Sequence, residues 1–145
     1  MDKKIITDHL YNDSIPEAIK YVNSIKDEET LAVYAYNYNW DNGFEVPDAI
    51  LNNIACTKSI ALMIYYAADG LLYLEEKEAA VGTEAWLVFI QKLYSRIIDN
   101  EFRDGQASFD PQLSKVQGYK LKKALSEKES VFIIPIEGIN CRVNL

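Results

Sequence analysis

Residues 36–53 hold the densest set of chemically able side chains in this chain. Asn37, Asn39, Asp41 and Asn42 alternate with Tyr36, Tyr38 and Trp40, and Glu45 and Asp48 follow. Oxygen ligands at alternate positions open a calcium loop, and Asn37, Asn39 and Asp41 have that spacing. In the same register Asn42 takes the sixth place, where the sharp turn needs Gly. Asp48 takes the twelfth, where a bidentate Glu belongs. Trp40 and Pro47 also fit such a loop poorly, so no metal is expected. The alternative use of these Asx side chains is to satisfy loop backbone groups and cap the neighbouring helix.

Acid–base work needs carboxylates with displaced pKa values. Asp41, Glu45 and Asp69 are the candidates, and Trp40 would complete a pocket with them. Asp69 follows a wholly apolar run, so a buried helix end is expected for it. A buried carboxylate needs donors or its pKa rises. The backbone of residues 40–44, the Trp40 indole or tyrosine hydroxyls would serve. Nothing nearby supplies a nucleophile or second catalytic partner, so Asn39 and Asp69 read as structural polar core, and no catalytic residue is assigned. His9 is the lone histidine, and the spacing of Cys56 and Cys141 matches no metal or redox motif. Neither thiol has a histidine at hand to activate it, and no cofactor is implied.

Aromatic rings suggest another role. Helical spacing puts Tyr34 and Tyr38 on one face and turns Tyr36 elsewhere. Tyrosine and tryptophan anchor interfaces, but they also serve cores through a hydroxyl hydrogen bond. Tyr36, Trp40, Asp41, Glu45 and Asp48 are therefore the expected partner-binding residues.

Charge narrows the partner. The 145 residues carry a net charge of −7. Residues 1–110 contain 9 basic and 19 acidic side chains, and residues 111–145 contain 6 and 3. An acidic body lacks the cationic surface that nucleic acid needs and suits a basic protein. Lys115, Lys120, Lys122 and Lys123 form a small basic cluster that reads first as a solvated face, with a contact to a second copy or to a nucleic acid as the alternatives, so a homo-oligomer stays open. The longest apolar run, residues 60–74, contains Asp69 and Gly70 and is shorter than the roughly 18–20 residues of a membrane span. The start is not a signal peptide. With two thiols in no disulfide pattern, the cytoplasm is the expected compartment.

These residues need helices to position them. Ser14-Ile15-Pro16-Glu17 predicts a capped helix start, continued by Ala18, Ile19, Val22 and Ile25 at helical spacing. A second helix is predicted from residues 27–30 to Tyr38, broken by Asn42-Gly43. Pro47 opens a short third, and Thr57 or Lys58 a fourth that is apolar all round and so buried. Thr83 precedes a fifth with Trp86, Phe89, Ile90, Leu93 and Ile97 on one stripe. Residues 104–111 read as loop and residues 115–125 as helix. Residues 131–134 and 139–143 are β-rich around Glu137-Gly138 and suggest a hairpin, with Pro135 at an edge or bend. The predicted fold is mainly α: one domain over residues 1–145, a compact bundle or short solenoid-like stack of about five or six helices, with a small C-terminal β-hairpin.

The run Tyr36-Asn37-Tyr38-Asn39-Trp40-Asp41-Asn42-Gly43-Phe44-Glu45-Val46-Pro47 resembles a bacterial family, the domain of unknown function forty-two seventy-four. Ile50-Leu51-Asn52-Asn53, Cys56, Ala61-Leu62, Ala68-Asp69-Gly70 and Tyr73-Leu74 continue the likeness, and residues 113–123 resemble the family's further C-terminal portion. The family often carries Asp where this chain has Asn42 and Gly where it has Ser59. The resemblance implies no established activity. It implies a setting similar to that of small bacterial immunity proteins, which bind and neutralise a toxin domain. The expected function is thus a non-enzymatic protein-binding domain with a protein partner, of the kind a basic toxin domain would be. The alternative is a small-molecule- or metal-binding protein, or a small enzyme, with a pocket around Trp40, Asp41, Glu45 and Asp69.

Overall fold

Five of the helices begin where a short polar side chain accepts the orphan backbone N–H groups of a first turn. The computed structural model describes residues 1–77 and 82–145. Asp2 caps α1 (Lys3–Asn12). Ser14 and Glu17 form the predicted capping box of α2 (Ile15–Ser24), with Glu17 Oε1 accepting from the Ser14 N–H at 2.9 Å. Asp27 caps α3 (Glu28–Tyr36). A 3₁₀ turn (Trp40–Asn42) and α4 (Glu45–Leu51) follow. Next come α5 (Lys58–Ala67), α6 (Gly70–Glu75) and α7 (Glu84–Ile98). Thr83 caps α7, and a second box, Ser114 with Gln117, opens α8 (Lys115–Ala124).

The helices bundle around α5, which packs on α3, α4, α6 and α7. Ile60, Ala61, Leu62, Ile64 and Tyr65 of α5 are all fully buried, as its apolar circumference predicts. On α7 the buried stripe is Phe89, Ile90, Leu93 and Ile97. A separate layer, α2 on α4, is tied by Asn53, whose Nδ2 donates to the Val22 and Ile25 carbonyls at 2.9 and 3.0 Å. One buried apolar cluster runs from Ile6 to Cys141.

Three expectations need correction. First, α1 precedes the predicted first helix; with the split of the apolar run given next, the described residues contain eight α-helices rather than about five or six. Second, the apolar run through Leu74 is two helices. The chain turns at Asp69, which is left-handed at φ 61°, and Gly70 lets α6 close on Tyr65, because a Cβ there would collide with the Tyr65 ring and carbonyl.

Third, the C-terminal β-hairpin does not form. Residues Lys128–Phe132 wind as a 3₁₀ turn, started by Ser126 and Glu129, which hydrogen-bond each other's backbone N–H. This carries Phe132 to full burial, stacked 5.3 Å from the Tyr94 ring and 4.7 Å from the Tyr65 ring. Residues 136 and 139 then pair with the 106–109 loop, not with residues 131–134. Ile136 and Phe109 exchange N–H···O bonds of 2.8 and 2.9 Å, and Ile139 bonds Gln106 and Ser108 at 2.7 and 2.8 Å. These are isolated bridges, and no strand occurs among the described residues. Burial of one large ring outweighs the local β preference of Val131-Phe132-Ile133-Ile134.

Candidate functional site

The segment with the densest chemistry is a corner built from its own polar groups. Asn39 Oδ1 accepts from the Asp41 N–H at 3.0 Å and caps the 3₁₀ turn. Gly43 follows at φ +88°, a conformation that favours glycine, and its carbonyl accepts from the Tyr38 hydroxyl at 2.7 Å. Asn37 donates to the carbonyls of Val33 and Val143 at 2.8 and 2.7 Å. Of the Asx residues expected to satisfy backbone groups, Asn37 and Asn39 do so. Asn37 and Asn39, two of the three supposed calcium ligands, are committed to main-chain partners. Among the described residues no group of three or more His, Cys, Asp or Glu is placed to hold a metal.

Above this corner lies an open groove. Tyr34 and Tyr38 are buried, whereas Tyr36 is exposed; Tyr38 lies beyond the end of α3. Tyr36 and Trp40 line the groove with Met63, Tyr66, Pro111 and Arg142 around a cavity of about 370 Å³. Trp40 is held from behind by Tyr38, edge-on at 5.4 Å, and by Phe89 at 6.1 Å. The Tyr66 hydroxyl donates to the Phe132 carbonyl at 2.7 Å. Three aromatic rings thus line the groove, Tyr36 exposed and Trp40 and Tyr66 half-buried.

The carboxylates are dispersed around it. Asp41 and Glu45 are exposed on the 3₁₀ turn and at the start of α4 and do not line the groove. Asp48 is half-buried. Burial pushes its carboxyl up, while Lys92 and Arg96 of α7 draw it down, so it faces α7. Asp69 is exposed, and its side chain caps nothing. The polar-core role expected of Asp69 is not seen, because the left-handed turn puts its side chain on the surface. The neighbouring Ala68 carbonyl takes the buried bond instead, from Trp86 Nε1 at 2.6 Å. Of Trp40, Asp41, Glu45 and Asp69, only Trp40 lines the groove.

The lone histidine and the thiols are occupied structurally. His9 stacks on Tyr21 at 3.8 Å, and its Nδ1 lies 2.8 Å from Asp13. Both cysteines are free and buried. Burial pushes the Cys56 thiol up to about 12 and raises that of Cys141. Neither is a ready thiolate.

Sequence reasoning misses Glu28. It reads as an ordinary acidic first-turn residue, yet its Oε1 accepts from the Gln106 and Ala107 N–H groups at 2.8 and 3.1 Å. These partners lie 78 and 79 residues away, and no local pattern announces them. Together with Thr57 and the 103–107 loop, Glu28 lines a second cavity of about 370 Å³.

Fold and corner together define a small helical-bundle domain organised by a polar-aromatic 3₁₀ turn. Among the described residues no helix is long and apolar enough to cross a membrane. The chain belongs to the family described as Domain of unknown function (DUF4274), whose profile matches residues 26–98. The match runs from the start of α3 to the end of α7 and includes the corner, Glu28 and Thr57. No curated protein and no solved structure matches the chain.

Proposed function

We propose that this chain is a non-enzymatic protein-binding domain of immunity type, which docks a basic bacterial toxin domain in the cytoplasm. The observation that carries the reading is the Tyr36–Trp40 groove. Trp40, braced by Tyr38 and Phe89, would lose little entropy on binding, and aromatic rings with methionine are enriched at interface centres. Exposed Asp41 and Glu45 flank the rim in sequence and would steer a cationic partner toward it. The net charge of −7 acts in the same direction at longer range. Two free, buried thiols suit a reducing compartment.

The experiment is co-purification with the product of the adjacent gene, followed by a test of whether the chain protects cells from that product. Tyr36→Ala and Trp40→Ala should weaken capture by about tenfold or more each, as interface anchors do. Tyr36→Ala should leave the melting temperature nearly unchanged, because the ring is on the surface. Full protection by the double variant would overturn the groove as the docking site.

A further inference from the structure

The helix α8 turns a cationic face to solvent in an acidic protein. It contains Lys115, Lys120, Lys122 and Lys123, and no acidic residue lies between positions 111 and 126. Only Leu121 of α8 is buried. Helical geometry places Val116, Tyr119, Lys120 and Lys123 on the side opposite Leu121. Val116 and Tyr119, one turn apart, are 63% and 62% exposed. Lys123 Nζ lies 4.4 Å from the centre of the Tyr119 ring. Among the described residues none of the four lysines enters an ion pair. An exposed apolar centre with a charged rim has the anatomy of a contact surface.

Charge names the occupant. Residues 27–57 carry six acidic side chains and no Lys or Arg. Asp41 and Glu45 of this stretch are exposed and enter no ion pair among the described residues. Asp41 adjoins Trp40 at the corner, and Gln112 lines the same groove as Trp40. Because α8 begins three residues beyond Gln112, the cationic helix starts beside the groove whose corner is acidic, yet the two do not neutralise each other within the chain. A surface that carries both charges complements itself under a two-fold rotation, and the two equal contacts close the assembly at a dimer. Anionic lipid and nucleic acid also attract lysine, but they would meet the repulsion of residues 1–110, with 19 acidic and 9 basic side chains. A second copy turns that same acidity into attraction. We infer that α8 is a self-association surface: the Val116–Tyr119 face of one copy, ringed by its lysines, docks on Asp41 and Glu45 of a second copy in a two-fold dimer. The inference requires only this chain and does not rest on toxin binding.

Sedimentation velocity of the purified full chain, from about 5 μM to about 500 μM, tests this. A concentration-dependent shift from monomer to dimer is expected, weakening about tenfold or more between about 50 mM and about 500 mM salt. Lys120→Glu with Lys123→Glu, and separately Asp41→Lys with Glu45→Lys, should each abolish the dimer, because like charges then face each other. All four positions are exposed, and circular dichroism checks that both variants stay folded. In an equimolar mixture the two variants should dimerise again, because each contact regains opposite charges. Tyr119→Ala should weaken the dimer about tenfold. A chain that stays monomeric throughout overturns the inference, including one whose α8 lysines bind anionic vesicles or duplex DNA instead. So does a dimer that salt leaves unchanged, or a mixture that fails to recover what each variant lost.

Discussion

Replacing Glu129 with Gln isolates a buried charge whose worth can be worked from its surroundings. The carboxylate accepts from Lys77 Nζ at 2.7 Å, from the Tyr94 hydroxyl at 2.6 Å and from the Ser126 N–H at 3.0 Å. Burial alone would raise its pKa, but these donors outweigh burial and hold it at about 2, against an ordinary 4.5. That displacement has a ceiling of about 3 kcal/mol of folding stability. The Glu129 side chain is 11% exposed and that of Lys77 38%, so solvent screens part of the pair and about 2 kcal/mol is expected. The unfolded chain takes up the proton near the ordinary glutamate value, and the folded chain only near 2. The contribution is therefore complete above about pH 5, declines as the pH falls through 4.5 toward 2, and vanishes below. The Glu129→Gln variant would keep the shape and an acceptor but not the charge. Urea denaturation of both proteins from about pH 7 to about pH 2.5 measures the gap. A gap that stays constant on acidification, or no gap at neutral pH, would refute the assignment of the stability to this charge.

The other predictions concern single contacts. Tyr65→Phe deletes a hydroxyl that is buried and unpartnered, so stability should stay within about 0.5 kcal/mol or rise. Tyr66→Phe breaks the bond to the Phe132 carbonyl and should cost about 1 kcal/mol; calorimetry of the pair tests both. Gly70→Ala drives a methyl into the Tyr65 ring and carbonyl, and a loss of about 2–3 kcal/mol is expected in chemical denaturation. Asn53→Ala releases two carbonyls of the α2 end and the Ala55 N–H, at about 2 kcal/mol or more by the same measurement. Cys56 is buried with its thiol raised to about 12. Iodoacetamide at about pH 8 should therefore leave it unmodified until urea unfolds the chain.

Helix starts are legible because their signals are local. Ser14 with Glu17 and Thr83 before Trp86 each announce a cap within four residues, and the structure uses both. The inward Tyr34 and outward Tyr36 follow from helical spacing, whereas Tyr38 is buried although α3 ends before it. What is illegible depends on distant partners. Val131 to Ile134 looks like a strand until Phe132 meets Tyr65, Tyr66 and Tyr94, which come from helices far upstream. Glu28 looks like a dipole residue until the 106–107 amides arrive. Asp69 is expected inside because an apolar run precedes it, yet a left-handed residue ends that run and turns the side chain outward. The groove is half legible: Tyr36 and Trp40 can be named from sequence, whereas Met63, Pro111 and Arg142 join them only in three dimensions.

The clamp at Asn37 has a consequence for how the chain is made. Asn37 holds the Val143 carbonyl and accepts from the Leu145 N–H, 106 and 108 residues downstream. Phe132 and the Ile136–Ile139 stretch also close over earlier helices. A ribosome delivers residues 26–98 well before any of these groups. Until residue 132 is made, Tyr65 and Tyr94 lack the Phe132 ring that packs on them, and Tyr66 lacks its hydrogen-bond acceptor. Translation speed between codons 98 and 145 is then expected to set how long these groups wait for their partners. Slow codons there should raise chaperone association and aggregation without altering a single side chain of the finished fold.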